Sequence, residues 1–324
     1  MTHSSTDTPQ RPTRPRRHRI LAVAGLVLLA FAAIGLIWLG VRYAGVSEGL
    51  KPVDSAERTA IRLAVDPVMP AKDAEPVYVL ILGSDARQGQ TRARSDTMML
   101  ARLDTSNHAV SLLSIPRDSR VPVAGHGLDK ITHANAYGGP ALAIKTVKDY
   151  TGLPVNHFVE LNFIGFAAIV DAIGGVRVTV DQEINDRNGL GAGSLSDVTH
   201  IPAGTQTLDS AAALTFVRSR AYPDGDFTRI KNQQKFIVAF AKQALASENL
   251  FRLSSIAQKV ADNMTTDMSI PQLLSMAADF RDLTDADITR ATVPGSTATI
   301  NGVSYVIPDE AEARVLFEAF RGGL

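Results

Sequence analysis

Hydrophobic and polar positions divide the chain into zones of very different character. Residues 1–19 are polar, proline-containing and rich in arginine. From Ile20 to Val41 no residue carries a charge. Coiled as a helix, that run spans about 33 Å, enough for a bilayer core. Trp38 and Tyr43 fall near its far end, where amphipathic rings favour the membrane interface. Residues 42–76 hold Pro52, Pro67, Pro70 and Pro76 and are amphipathic only around Ala56–Ala64, so they read as a linker with one helical turn or more. The folded region is expected to begin at Val77.

Within that region the period of the pattern alternates. Val77–Leu82 is a continuous apolar run ended by Gly83-Ser84-Asp85, as in a buried strand followed by a turn. Thr97–Leu103 and Ala109–Ile115 are further strands, separated by the turn-like Asp104-Thr105-Ser106-Asn107-His108. Pro140 opens and Gly152 closes a helix carrying Ala141, Ile144, Val147 and Tyr150. Strands at Phe158–Leu161 and Val176–Val180 flank a helix over about 164–173, and residues 185–200 read as a surface loop. Asp209 is expected to cap a helix through Val217, and Asp226 a long one to about Leu245. At least two helices and a strand at Val303–Ile307 follow. Strands alternating with helices predict an α/β layered sheet.

Charge changes the picture. The whole chain has 33 basic and 33 acidic side chains, a net charge of zero. The tail before the apolar run carries Arg11, Arg14, Arg16, Arg17 and Arg19 against Asp7 alone, which leaves the remainder acidic. A basic excess ahead of an apolar span predicts a cytoplasmic tail over 1–19, a transmembrane helix over 20–41 and an extracytoplasmic remainder. Ala30-Phe31-Ala32 has the small-x-small form of a signal-peptide cleavage site, but the apolar run outlasts a usual signal core and favours an anchor. With 45% apolar and 20% charged residues the chain is globular, and without cysteine it holds no disulfide, thiolate metal site or cysteine nucleophile. The absence of a basic excess argues against a nucleic-acid partner.

Candidate chemistry gathers at one sheet edge. If the first three strands run up, down and up as sequential neighbours, Asp85, Asp96 and Arg117 meet at their tops with Arg87 and Arg94. Such residues are equally common as solvated loop charges. A second cluster favours a site: residues 218–235 contain Arg218, Arg220, Arg229, Lys231 and Lys235 against Asp224 and Asp226. Arg229 and Gln233 share one helix face. Arginines converging from a helix end and a helix start suit a dense oxyanion, because guanidinium forks match phosphate bidentately. Aspartates beside them would repel that anion unless a hard divalent cation joined the two, and magnesium fits that role. Elsewhere the seven histidines, His133 and His157 among them, show no ligand spacing and read as packing or surface residues.

Several short segments, in order, resemble one family. They are Leu82-Gly83-Ser84-Asp85, Arg94-Ser95-Asp96-Thr97-Met98, Ser114-Ile115-Pro116-Arg117-Asp118, Lys130-Ile131 leading to Ala136-Tyr137-Gly138-Gly139, and Phe216-Val217-Arg218-Ser219-Arg220 followed by Gly225-Asp226-Phe227-Thr228-Arg229-Ile230 and Gln233-Gln234. Together they resemble the LytR-CpsA-Psr (LCP) proteins of bacterial envelopes over residues 77–245, within a catalytic domain of 77–324. Thr132-His133-Ala134-Asn135 and Asn232 depart from the family's commoner pattern.

The resemblance implies an α/β/α fold around a central mixed β-sheet, preceded by one transmembrane helix. It implies a phosphotransferase in the cell membrane that moves a glycopolymer from a polyprenyl-diphosphate carrier onto a peptidoglycan hydroxyl, forming a phosphodiester. A non-catalytic envelope scaffold and a polyprenyl-diphosphate pyrophosphatase are the rival readings. Carried over by motif, Asp85 and Asp96 would hold magnesium, or manganese in its place. Arg94, Arg117, Arg218, Arg220, Arg229 and Gln233 would grip the diphosphate with Lys130 nearby, and Arg117 joins the two aspartates in catalysis. Phe158, Leu161, Phe163, Ile164 and Phe166 are candidates for the lipid groove, a role that core packing would explain equally well.

Overall fold

The computed structural model describes residues 55–68, 75–84, 93–186, 198–244, 264–280 and 282–324. The basic tail and the uncharged segment 20–41 lie outside these. Among the described residues no helix is long and apolar enough to cross a membrane.

Six strands form the central sheet. In chain order they are β1 (Val77–Ser84), β2 (Ser95–Asp104), β3 (Ala109–Ser114), β6 (His157–Asn162), β11 (Met264–Thr266) and β12 (Ile288–Thr292). Their spatial order is β11-β6-β1-β2-β3-β12. The first three are sequential antiparallel neighbours, as their short connections require. β6 joins β1 and β12 joins β3 in parallel, so the sheet is mixed.

Strand alternation sends side chains to both faces, and each face has its own core. Tyr78, Leu80, Leu82, Met98, Leu100 and Leu113 pack beneath helix α2 (His133–Thr151) and helix α7 (Glu310–Gly322). Val79, Met99, Ala101, Val110 and Leu112 face Val238 of helix α5 (Asp226–Ala244), together with Met268 and Phe280 around helix α6 (Ile270–Asp279). This is the α/β/α layering expected. A further core joins helix α3 (Phe163–Ala172), helix α4 (Ser210–Arg218) and α5 to the hairpin of β7 (Val176–Val180) and β10 (Gly204–Leu208), with Phe216 and Phe236 at its centre.

Within residues 42–76, expected as a linker with one helical turn or more, the described part packs on the domain. Helix α1 (Ser55–Ala64) buries Ile61 in the core beneath α2. Asp66 then accepts from Val155 N at 3.0 Å and pairs with Lys148 at 2.7 Å. An amphipathic turn with one buried isoleucine and a paired carboxylate is held by the domain, so the docked part includes Ser55–Asp66.

Local signals explain most boundaries. α2 is broken at Gly139, whose φ of 66° and ψ of −165° are non-helical; Pro140 then starts its longer part, and Gly152, at φ 68°, ends it. Asp209 caps α4 by accepting from Ala212 N. Asp226, expected as a cap, is instead the first residue of α5, and its carboxylate is taken by two guanidiniums. Residues 184–185 and 200–201 pair as a short ribbon, β8 with β9, at the ends of the expected surface loop, whose residues 187–197 lie outside those described.

Candidate active site

The sheet delivers charged residues to one end. β1 finishes at Ser84, where the ladder with β2 slips between Gly83 and Ser84. Space favours glycine at position 83: a Cβ there would lie 3.0 Å from the Thr97 side chain. Asp96 follows at the start of β2. Arg117 lies three residues past β3, its loop fixed by Ser119 N donating to Pro116 O and Thr132 N donating to Arg117 O. The Arg117 guanidinium pairs directly with the Asp96 carboxylate. Asp118 sits behind, 2.8 Å from Lys130 Nζ and 3.7 Å from Arg117 Nε. Burial would raise the Asp118 carboxyl, but the Lys130 hydrogen bond and the charges of Arg117, Lys130 and Arg220 outweigh it and hold it below the usual range.

The second group arrives from α4 and α5. Arg218 ends α4 and lies over the Phe163 ring, 4.4 Å from its centroid. Arg220 and Arg229 share one oxygen of Asp226, at 2.9 and 2.8 Å. Gln233, one turn on from Arg229, donates to Val217 O at 3.0 Å. Arg229 is only 4% exposed, a costly place for a guanidinium. That burial lowers its pKa to about 10; Asp226 opposes the shift, and repulsion from Arg220 and Arg117 adds to it. It remains a cation at neutral pH, and its Nε, like that of Arg117, is buried without a hydrogen-bond acceptor among the described residues.

Asp96, Arg117, Arg218, Arg220, Arg229, Gln233 and Phe163 line one pocket of about 270 Å³, with Thr97 and Val217 completing its wall. Four guanidiniums thus line the pocket with one carboxylate, Asp96, while Asp226 pairs two of them from outside the lining. Such a donor-rich lining is chemically suited to an anion, and the pocket is sized for one compact headgroup. Asp96 offers one hard oxygen ligand beside that anion position. Magnesium, which is commonly held by one or two carboxylates plus phosphate oxygens, fits such a donor set. Among the described residues no group of three His, Asp or Glu side chains could hold a metal by itself.

Other expected residues fall elsewhere. Asp85 and Arg87 lie outside the described residues. Arg94 is exposed just before β2 and does not line the pocket; Lys130 is one step back, paired with Asp118. Lys231 and Lys235, which the sequence groups with the arginines, line a separate groove of about 980 Å³ with Arg177, Lys242 and Arg290. Two residues beyond Arg229 and Gln233, they project from the opposite side of α5.

The groove candidates divide. Phe163 lines the arginine-rich pocket. Phe158 is fully buried on the opposite, α2-facing side of the sheet, because even and odd positions of β6 point apart. Phe166 packs on Phe236 at 5.1 Å between centroids, and Ile164 is exposed. Leu161, partly buried, shares its strand face with Val159, which packs in the α5-side core. The i, i+3 spacing of Asp226 and Arg229 on one helix was a signal that could have paired them, though Asp226 was expected only as a cap. Asp118 had no such signal, since its tie to Lys130 spans a hairpin.

Residues 43–321 match the family model described as LytR_cpsA_psr family. A polyisoprenyl-teichoic acid–peptidoglycan teichoic acid transferase, TagU of Bacillus cereus (strain AH820), is 32% identical over 242 residues, covering 74% of this chain and 76% of that protein. The solved structure "TagT bound to LI-WTA" superposes with a TM-score of 0.67 at 29% identity, covering 80% of this chain and 94% of that one. A LytR-CPS2A-psr family protein, YwtF (TagT), solved with bound octaprenyl pyrophosphate lipid, superposes at a TM-score of 0.63 and 27% identity, with the same coverage.

Proposed function

The chain belongs to the LytR-CpsA-Psr family, and on that premise we propose that it is a membrane-anchored phosphotransferase that moves an anionic glycopolymer from a polyprenyl-diphosphate carrier onto peptidoglycan. The observation that carries this reading is the pocket in which Arg117, Arg218, Arg220 and Arg229 surround a space bordered by the Asp96 carboxylate. An acceptor hydroxyl oxygen attacks the phosphorus that bears the glycan. The bond from that phosphorus to the bridging oxygen breaks, polyprenyl phosphate leaves, and the hydroxyl proton passes to a carboxylate. Negative charge grows on the bridging and leaving oxygens, where preorganised guanidiniums act most strongly. Asp96, with Asp85, would hold magnesium, which supplies additional neutralisation of the diphosphate.

Phe163 and Leu161 mark the side from which a prenyl chain would leave the pocket. Residues 20–41 supply the anchor, with the N-terminal tail cytoplasmic and residues 55–324 outside. The test incubates the full-length protein with magnesium, a lipid-diphosphate-linked glycan and peptidoglycan fragments. Covalent glycan–peptidoglycan conjugate is the expected product. Free phosphorylated glycan alone would establish hydrolysis instead, and binding without either product would establish a scaffold.

A further inference from the structure

Beside the anion pocket stands a hairpin of β4 (Arg120–Val123) and β5 (Gly127–Lys130), packed against the first turn of α2. Its surface and the adjoining helix start expose one large aliphatic side chain and several rings. Leu128 is 52% exposed and Tyr137 40%, and His126 at the hairpin tip is also exposed. The rings are ordered against one another: His126 stacks on Tyr137 with centroids 4.1 Å apart and planes 15° apart, and His133 meets Tyr137 edge-on at 5.8 Å. Asp129 locks them, taking a hydrogen bond from the Tyr137 hydroxyl at 2.7 Å and lying 2.9 Å from His133 Nδ1. Nearby, the Arg120 and Lys130 cations each sit 5.7 Å from the Tyr305 ring centroid.

We propose that this hairpin and the start of α2 form the platform on which the acceptor glycan lies. The inference rests on the transferase reading above. A pyranose presents an apolar C–H face ringed by hydroxyls, so it is matched by a flat, rigid ring stack with charged and polar groups beside it. Rings fixed in advance lose little entropy when a sugar settles on them. Position selects the acceptor over the donor. Asp129 is bonded in sequence to Lys130, Lys130 pairs with Asp118, and Asp118 lies against Arg117, whose guanidinium holds Asp96. The base of the hairpin therefore abuts the carboxylate end of the pocket, whereas Phe163, where the carrier lipid would leave, stands with Arg218 at the α4 end. A sugar on the rings brings its hydroxyl in from the Asp96 side.

The experiment uses the full-length protein with a lipid-diphosphate-linked glycan, magnesium and a peptidoglycan oligosaccharide, and measures conjugate and water-hydrolysed glycan together. In Tyr137→Ala and His126→Ala the ratio of conjugate to hydrolysed product falls about tenfold and the KM for the oligosaccharide rises by a similar factor. Tyr137→Phe, which keeps the ring and loses the hydroxyl that bonds Asp129, falls less. His126 is exposed at a hairpin tip, so its variant folds even if Tyr137→Ala does not. Equal loss of both products, or an unchanged oligosaccharide KM, overturns the platform. If the wild type forms no conjugate, the transferase reading fails by itself. Titration with an N-acetylhexosamine tetrasaccharide then decides the platform: shifts of the His126 and His133 ring resonances in the wild type, with the His133 shift lost in His126→Ala, support it, and no shift in the wild type overturns it.

Discussion

An arginine–aspartate pair stands at each end of strand β2, about 26 Å apart at the rise of an extended strand. The lower one lies within the strand, and the upper one joins Asp96 to Arg117 of the loop after β3. At the lower end Arg102 and Asp104 are 6% and 2% exposed and saturated. Their ion pair is 3.0 Å long, Arg102 Nε donates to Arg321 O of α7, and Asp104 accepts from Ser106 Oγ, Asn107 N and Asn107 Nδ2. At the upper end Asp96 and Arg117 border a pocket, and the nearby arginines outnumber their acceptors. The same two residue types thus do opposite work. Where every donor has an acceptor inside the protein, the pair fastens a turn and a helix to the sheet; at the upper end the proposed transferase brings an acceptor with its substrate, the diphosphate.

Four substitutions press on that contrast, in descending order of effect. Arg117→Ala should lower kcat by about 10²- to 10³-fold, the cost of removing one preorganised donor to a developing oxyanion. Its thermal unfolding midpoint should barely move, since a crowded cation is removed. If the midpoint fell as far as that of the lower-end variant, the upper pair would be structural after all.

Asp104→Ala should destabilise the fold by about 3 kcal/mol, because Arg102 is left buried without its counter-charge. Activity per folded molecule should be retained, and denaturant titration beside an activity assay separates the two. The same pair sets an acid dependence. Burial would raise the Asp104 carboxyl, but hydrogen bonds from Ser106 and Asn107 and the Arg102 charge hold it well below the usual carboxylate range. A depressed folded-state pKa gives stability that is present above the unfolded value of about 3.9 and lost as pH falls below it. Wild-type stability should drop on acidification through that window by more than that of Asp104→Ala, as urea midpoints against pH would show.

Asp209→Ala removes the α4 cap and should cost about 1 kcal/mol, read from the same titrations. Because α4 ends in Arg218, a small rise in the KM for the lipid-linked donor should accompany it. Lys231→Ala should be nearly silent, with stability changed by less than about 0.5 kcal/mol and turnover close to wild type. A large loss of turnover there would return Lys231 to the anion site and undo the separation of the two faces of α5.

Legibility in the sequence followed the range of the interaction. The antiparallel run of β1, β2 and β3 was readable because short turns leave sequential strands little choice but to pair. Gly152 and Asp209 marked their helix boundaries because caps act within one turn. Arg229 and Gln233 were readable as one face from helical spacing alone. Lys231 and Lys235 were not separable from the arginines by composition, since a charge count along the chain ignores which way a helix turns it. Phe158 looked like a groove residue for the same reason: aromatic content was visible, but the strand face was not. The Asp129–His133–Tyr137 cluster was missed because His133 lacks metal-ligand spacing, and its meaning depends on His126 reaching it across a hairpin.

By itself, then, the sequence determined the α/β alternation, the uncharged run at 20–41, the family and the residue types of an oxyanion site. Each of these is carried by local periodicity or by short motifs in order. Tertiary structure decided which arginines share a pocket, that Asp226 bridges Arg220 and Arg229 instead of capping a helix, that Ser55–Ala64 docks as part of the domain, and that exposed rings stand beside the pocket. Those depend on side chains brought together from distant segments, and electrostatic and packing energies are set by distance in space, which separation along the chain does not encode.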